Sequence, residues 1–337
     1  MSFANVIRRR LLLLVLVVFG VSLITFVISH LMPGDPATLI AGERAPPEIV
    51  AHIREELGLD RPVPVQYGIY VQDLLHGDLG TSLHTNRPVA GDIITFLPAT
   101  LELAVAALFF AILLGVPLGV LSAIHRDRPI DHATRIVSVA GISSPVFWIG
   151  LILILVFYGR LHWLPGAGRL DADLIPPPRL TGLYTVDALV AGEWAVLGSA
   201  LLHLLLPAFT LGFAHLGIAT RQVRSAMLEA LGEDYVRTAR ANGLPQRRVI
   251  AHALRNALIP SVTLLGLAFG DLLYGAVLTE TVFAWPGMGN YVVQAIQSLD
   301  FPAIMGFTVV VSAGYVLINL AVDLAYMFLD PQIRDIG

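Results

Sequence analysis

Six stretches of the chain run for a membrane's width with almost no charge: residues 11–29, 103–124, 136–159, 195–220, 256–279 and 301–322. Asp271 is the one acid inside any of them. A transmembrane helix needs about 20 predominantly apolar residues. A helix in a soluble core keeps a polar face for water and seldom stays uncharged so long. The pattern therefore predicts an all-α polytopic membrane protein with six transmembrane helices. The first run follows Arg8, Arg9 and Arg10, as a secretory leader would, but it is too long for such a leader's apolar region and no clear small-residue cleavage site follows, so it reads as a retained anchor.

Polar residues between the runs set the orientation. With the N-terminus in the cytoplasm, fourteen of the 21 arginines fall on the cytoplasmic side, seven of them between Arg221 and Arg255. Arg44, Arg54, Arg61, Arg87, Arg160, Arg169 and Arg179 fall outside, on longer segments, with Asp35, Glu43, Glu55, Glu56, Asp73, Asp78 and Asp92. The excess of inward cations predicts that both termini are cytoplasmic. The sequence then divides into residues 1–30 (N-terminus and first span), an extracytoplasmic region 31–98 and a core 99–337. Within the core, spans cover 99–124, 136–159, 195–220, 257–279 and 301–322, an outside loop covers 160–194 and an inside loop 221–256. Region 31–98 starts with the turn-rich Met32-Pro33-Gly34-Asp35-Pro36, and 47–57 reads as a short amphipathic helix stopped by Gly58. The outside loop, with Pro176-Pro177-Pro178, reads as irregular. No internal repeat stands out.

Composition narrows the chemistry. Hydrophobic residues make up 56% and charged residues 14%, against about 45–50% and 25% in an ordinary soluble domain. There is no lysine, which excludes a Schiff base and a P-loop lysine, and no cysteine, which excludes disulfides, thiolate nucleophiles and cysteine-bound metals. The net charge of -4 argues against a nucleic-acid binder.

The inside loop carries the most specific pattern. It contains Asp234-Tyr235-Val236-Arg237-Thr238-Ala239-Arg240-Ala241-Asn242-Gly243-Leu244-Pro245, then His252 and Arg255-Asn256. It reads as two helical pieces broken at Asn242-Gly243-Leu244-Pro245, because glycine tolerates the left-handed conformation of a helix end and proline stops continuation. Ala239 and Gly243, four residues apart, read as a small-residue face open to close approach by another protein. The bent shape also looks like a DNA-binding helix-turn-helix, but the flanking spans leave it too small a loop. Several arginines here, such as Arg221, Arg247 and Arg248, suit the anionic inner leaflet.

This segment resembles the cytoplasmic EAA loop of the permease subunits of binding-protein-dependent ABC importers. It departs from the general Glu-Ala-Ala pattern, reading Arg237-Thr238-Ala239, and keeps Gly243. Those departures match the peptide/nickel branch, of DppB/OppB type. The resemblance extends along the chain through Pro33-Gly34-Asp35-Pro36, Glu56-Leu57-Gly58-Leu59-Asp60, His76-Gly77-Asp78-Leu79-Gly80, Pro98-Ala99-Thr100-Leu101-Glu102, Trp285-Pro286-Gly287-Met288-Gly289 and Asp330-Pro331. It implies the type I importer fold and a non-catalytic subunit of the bacterial inner membrane that supplies half of a translocation pathway. It also implies a homologous second permease (DppC/OppC-like), two ATPase subunits carrying ATP and magnesium, an extracytoplasmic substrate-binding protein docking on 31–98 and 160–194, surrounding lipid, and no cofactor in this chain. The ATPase-coupling residues it implies are Asp234, Tyr235, Arg237, Thr238, Ala239, Arg240 and Gly243.

Asp271 is the candidate pathway residue, since charge at bilayer depth usually faces a cavity or a partner. The alternative is a structural hydrogen bond to Tyr274 or to the second permease. Glu102 reads as pairing with an arginine such as Arg87, His203 and His215 as packing or interhelical hydrogen-bond residues, and Gly115 with Gly119 as a close helix contact. Pro145 and Pro207 read as kinks or helix starts. A secondary transporter would call for inverted repeats or an intramembrane charge path, and an intramembrane enzyme for a catalytic constellation; neither is found. Among substrates, 176–194 looks like the dipeptide-type loop, with nickel, glutathione, opines or sugars as alternatives.

Overall fold

The computed structural model describes residues 3–31, 37–38, 45–56 and 58–329. Pro33-Gly34-Asp35-Pro36, Glu43, Arg44, Leu57, Asp330-Pro331 and Arg334 lie outside the described residues. The elements are helices α1 (Phe3–Leu31), α2 (Pro47–Glu56), α3 (Val63–Leu75), α4 (Val89–Ile124), α5 (Pro129–Ser143), α6 (Val146–Leu153, continued by a π-helix Ile154–Arg160), α7 (Tyr184–Ala191), α8 (Trp194–Gly232), α9 (Asp234–Ala241), α10 (Gln246–Val282), α11 (Met288–Gln297) and α12 (Phe301–Leu329). Among the described residues no strand forms; one isolated bridge joins Thr81 to Pro88.

Among the described residues, four helices are long and apolar enough to cross a membrane: α1 from Ile7, α4, α8 and α12 to Leu324. The pair α5 and α6 meets the same test together but is bent by 109°. The run 136–159, which reads as one span, is thus broken at Ser144-Pro145. Both residues are extended there, and Pro145 has no N–H for a helical bond. The fifth run lies inside the 37-residue α10.

The chain forms two compact units. The first holds 98–290 and the end of α12. Its axis is α8, 39 residues or about 58 Å long, longer than the roughly 30 Å of bilayer hydrocarbon. Helices α5, α6, α7, α9 and α10 all touch it. One core cluster joins Leu103, Ala104 and Ala107 of α4, Leu204, Ala208 and Leu211 of α8, Leu272 and Ala276 of α10, and Trp285. A second joins Ala123 of α4, Val223, Ala226, Met227 and Ala230 of α8, and Ala253 and Ala257 of α10. Small residues let the backbones approach: a Cβ on Gly119 would stand 2.8 Å from the Thr220 carbonyl oxygen, and one on Gly115 2.9 Å from the Ala219 Cβ. That is the close contact expected of Gly115 and Gly119.

The second unit holds 7–97 and 291–316. In it α1 and α3 meet through Phe26 against Tyr67 (ring centroids 5.2 Å apart) and a 3.0 Å hydrogen bond between the Ser22 and Tyr67 hydroxyls. Helix α2 forms as the pattern predicts and ends at Gly58, whose φ of +63° favours glycine. Asp300 caps α12: its carboxylate accepts from the Ala303 N–H (3.2 Å), the His84 N–H (3.1 Å) and the Ser82 hydroxyl (2.5 Å).

Candidate functional site

The sequence-predicted coupling residues come together on α9 and the turn after it. Glu233, with φ −69° and ψ 152°, ends α8 and starts α9, so the first helical piece of the loop is itself interrupted. Helix α9 then lasts eight residues. Val236 is its one buried side chain, 1% exposed, while Asp234, Tyr235, Arg237, Thr238 and Arg240 are exposed and Ala239 is half-buried. Arg237 Nη1 meets Asp234 Oδ1 at 3.1 Å, and the Thr238 hydroxyl donates to the Asp234 carbonyl at 3.0 Å. The helix is thus held at one point and presents a polar, solvent-facing surface.

Gly243 has a different job from the one its spacing suggests. Helical geometry ends at Ala241, so Ala239 and Gly243 do not share a helical face. Gly243 has φ +72°; its N–H donates to the Arg240 carbonyl (3.0 Å) and the Leu244 N–H to the Ala239 carbonyl (3.1 Å). This paired closure is the Schellman motif, which wants glycine at the left-handed position. A Cβ on Gly243 would meet nothing within 4 Å. Within this chain the glycine is required by the backbone, and it turns the chain into Pro245 and α10.

Asp271 is not part of this arrangement. It lies 25 residues, or about 38 Å of helix, from the start of α10. It is exposed, on a stripe with Tyr274 and Leu278 at helical spacing, while Leu272 and Ala276 beside it are buried in the core.

The same unit holds buried ionic groups that the sequence does not single out. Glu102 pairs with Arg169, 67 positions away, and not with Arg87, which pairs with Asp92 at 2.9 Å. Glu102 also accepts from the Thr185 N–H (2.8 Å) and hydroxyl (2.7 Å), and the Arg169 guanidinium lies 3.7 Å from the centre of the Tyr184 ring. Sequence proximity favoured Arg87; the fold brings the loop residue instead. Glu280, fully buried, accepts from the Thr100 hydroxyl (2.6 Å) and the Gly289 and Asn290 N–H groups (2.7 and 3.1 Å). The Trp285 indole donates to the Ala99 carbonyl at 2.9 Å. A Cβ on Gly287 would collide with the Glu280 carboxylate. Trp285-Pro286-Gly287-Met288-Gly289 is therefore a cradle for one carboxylate, and that collision explains its middle glycine.

In the loop 160–194, which reads as irregular, Asp187 builds a short ordered structure. Its carboxylate accepts from the N–H groups of Leu180, Thr181 and Gly182 and from the Thr181 hydroxyl, at 2.7 to 3.3 Å. Burial pushes the Asp187 carboxyl up, but these hydrogen bonds outweigh it and hold the group below its ordinary value. Helix α7 starts just before it. At the other end of the unit Asp131, wholly buried, receives Arg224 Nε and Nη2 at 2.7 and 2.9 Å and the Ser122 hydroxyl at 2.5 Å. His203 bonds back to the Ser199 carbonyl of its own helix at 2.9 Å. Among the described residues no three His, Asp or Glu side chains converge to hold a metal ion.

Comparison with known proteins finds relatives over nearly the whole chain. Residues 115–335 match the family model for the binding-protein-dependent transport system inner membrane component, and residues 3–104 match the N-terminal model of the same transport system membrane component. The chain is 61% identical, over 99% of its length and 98% of the relative's, to the probable D,D-dipeptide transport system permease protein DdpB of Escherichia coli K12. It is 47% identical, over 97% and 98%, to the di/tripeptide transport system permease protein DppB of Pseudomonas aeruginosa. It is 39% identical, over 98% and 99%, to the glutathione transport system permease protein GsiC of Salmonella choleraesuis. Helix content, apolar spans and both family matches together place this chain in the family of binding-protein-dependent transport system inner membrane components.

Proposed function

We propose that this chain is a non-catalytic permease subunit of an ATP-driven importer for dipeptides, with D,D-dipeptides as the first candidates. The observation that carries it is the full-length relation to dipeptide permeases, among them a probable D,D-dipeptide permease at 61% identity. A glutathione permease at 39% supports the tripeptide-like alternative less. In this reading six spans cross the bacterial inner membrane with both termini cytoplasmic, the fifth inside α10 and the third through the bent α5–α6 pair. The chain supplies half of the pathway and a homologous permease the other half. An extracytoplasmic binding protein delivers substrate, and two ATPase subunits, which hold ATP and magnesium, take up α9.

The geometry of α9 suits that role. A helix anchored by Val236 and closed at Gly243 keeps its shape while Tyr235, Arg237 and Arg240 stay exposed to meet acids and a groove on a partner. Asp271, exposed at bilayer depth, faces the pathway or the second permease, because a charge is not left against lipid tails. No lysine is available for a P-loop, so the energy of uphill import comes from the partner chains.

The test is uptake by the assembled importer in proteoliposomes, with alanyl-alanine in D,D and L,L forms and with glutathione. ATP-dependent uptake of dipeptide is the expected result. Uptake of glutathione alone overturns the substrate; uptake that ignores ATP overturns the coupling role of α9.

A further inference from the structure

Helix α5 is built inside out. It buries Asp131, Thr134, Ser138 and Gly141, and exposes Ile130, Ile136, Val137, Val139 and Ile142. The buried side faces α8: a Cβ on Gly141 would stand 2.7 Å from the Phe213 carbonyl oxygen. The helix has thus spent its small and hydroxylated residues on one neighbour, and these are the residues that membrane helices use to pack together. The bulky aliphatic face left over suits hydrocarbon better than another helix. A shallow, open depression of about 480 Å³ lies on it, lined by His132, Arg135, Ile136, Val139 and Ala140.

The depression has two chemistries. Ile136, Val139 and Ala140 make an apolar wall, and His132 and Arg135, bonded to each other at 3.2 Å, stand at the end nearer the helix start. The charges nearby do not cancel. Arg126 meets Asp127 at 3.4 Å, Arg135 meets Asp127 at 3.9 Å and Asp131 at 3.2 Å, and Arg224 meets Asp131 at 2.7 Å, three cations for two anions. The Asp131 carboxylate is already gripped on both oxygens by Arg224, so Arg135, 3.2 Å away and 45% exposed, adds a second cation to one anion. A cation cluster directly below an aliphatic depression complements a molecule with an anionic head and a hydrocarbon tail.

We infer that the outer face of α5 is a binding site for an anionic phospholipid of the cytoplasmic leaflet. Its phosphate meets Arg135 and His132, and an acyl chain lies along Ile136 and Val139. The inference goes beyond the transport reading and rests on it in one respect, that the first turn of α5 faces the cytoplasmic leaflet.

The experiment uses the assembled importer in nanodiscs of mixed phosphatidylcholine and phosphatidylglycerol, with retained lipid identified by native mass spectrometry. Phosphatidylglycerol is expected to be retained in preference, and Arg135→Gln to lower that preference about five-fold, the loss of one surface cation. Equal retention of the two lipids, or a preference that Arg135→Gln leaves intact, overturns the site. Arg135 also touches Asp131, so a second variant avoids the ion pair: Val139→Cys, the sole cysteine in the chain, carries a nitroxide. A label accessible to oxygen in the bilayer supports the lipid face. A photo-crosslinking label on the same cysteine that captures the second permease shows that protein covers the depression and overturns the proposal. A label accessible to a water-soluble relaxation agent overturns the membrane placement of α5 beneath it, whatever substrate is transported.

Discussion

The first unit treats its charges in opposite ways at its two ends. Around the loops that flank α4, α7 and α10, three carboxylates are buried and answered: Glu102 by Arg169 and Thr185, Glu280 by Thr100 and two N–H groups, Asp187 by four donors. On α9 the charges are in water, and Asp234 and Arg237 have side chains 92% and 75% exposed. A buried and completed network fixes loops in one arrangement, since any loosening strands a charge in a low-dielectric interior. An exposed helix with a single buried anchor stores little in its own contacts and leaves its donors for a partner. The contrast is local: the buried loop carboxylates are held by this chain's own donors, while the charges of α9 are left to solvent.

The sharpest way to break the comparison is Arg169→Ala. It leaves Glu102 buried without its partner, which costs about 3–5 kcal/mol, and thermal unfolding of the purified subunit should fall accordingly. A variant as stable as the parent would show that the loop end is not held by its ions. Asp187→Asn is next, at about 1–3 kcal/mol, because it weakens four hydrogen bonds to a buried acceptor. The Asp187 carboxyl is held lower when folded than when unfolded, so its stabilisation is complete above the unfolded value of about 3.9 and is lost as pH falls through the folded one. Unfolding temperature followed downward from pH 6 should drop more steeply in the parent than in Asp187→Asn.

At the other end the expected effects are smaller and local. Gly243→Ala forces a left-handed residue, at about 1–2 kcal/mol, and should speed amide exchange across 238–244 while the rest of the helix bundle stays protected. Gly243→Asn, which tolerates that conformation, should recover most of the protection and of transport. Failure of both variants alike in transport, with protection intact in the asparagine form, would restore the small-residue face that the spacing suggested. Last, Asp234→Ala should move stability by no more than about 0.5 kcal/mol, because exposed ion pairs contribute little. If α9 docks on an ATPase, the same change still alters uptake, and that separation of the two readouts is the signature of a surface built for a partner.

Much of the helical plan was legible in the sequence because a membrane span announces itself by length and lack of charge. The runs at 11–29, 103–124, 195–220 and 301–322 all lie inside long helices. The break at Ser144-Pro145 was half legible: proline marks a kink, but composition does not tell a kink of a few degrees from one of 109°. The break at Asn242–Pro245 was legible from local rules, yet the role of Gly243 was not, since four-residue spacing means a shared face only while the helix lasts. The partner of Glu102 and the cradle around Glu280 were beyond reach. Glu102 and Arg169 are 67 residues apart and Thr100 and Glu280 are 180 apart, and nothing in a single chain tells one distant donor from another.

Helix α8 has one further consequence, a mechanical one. Pro207 has no N–H to give to the helix, so α8 lacks one hydrogen bond there and bends at least cost at that point. From there to Gly232, where α9 is attached, the rod continues for 25 residues, about 38 Å. A swing of about 10° at Pro207 would carry the far end through about 6–7 Å, slightly more than one helical pitch. A lever of that length turns a slight change of angle among close-packed glycines into a stroke that a docked protein could drive or sense.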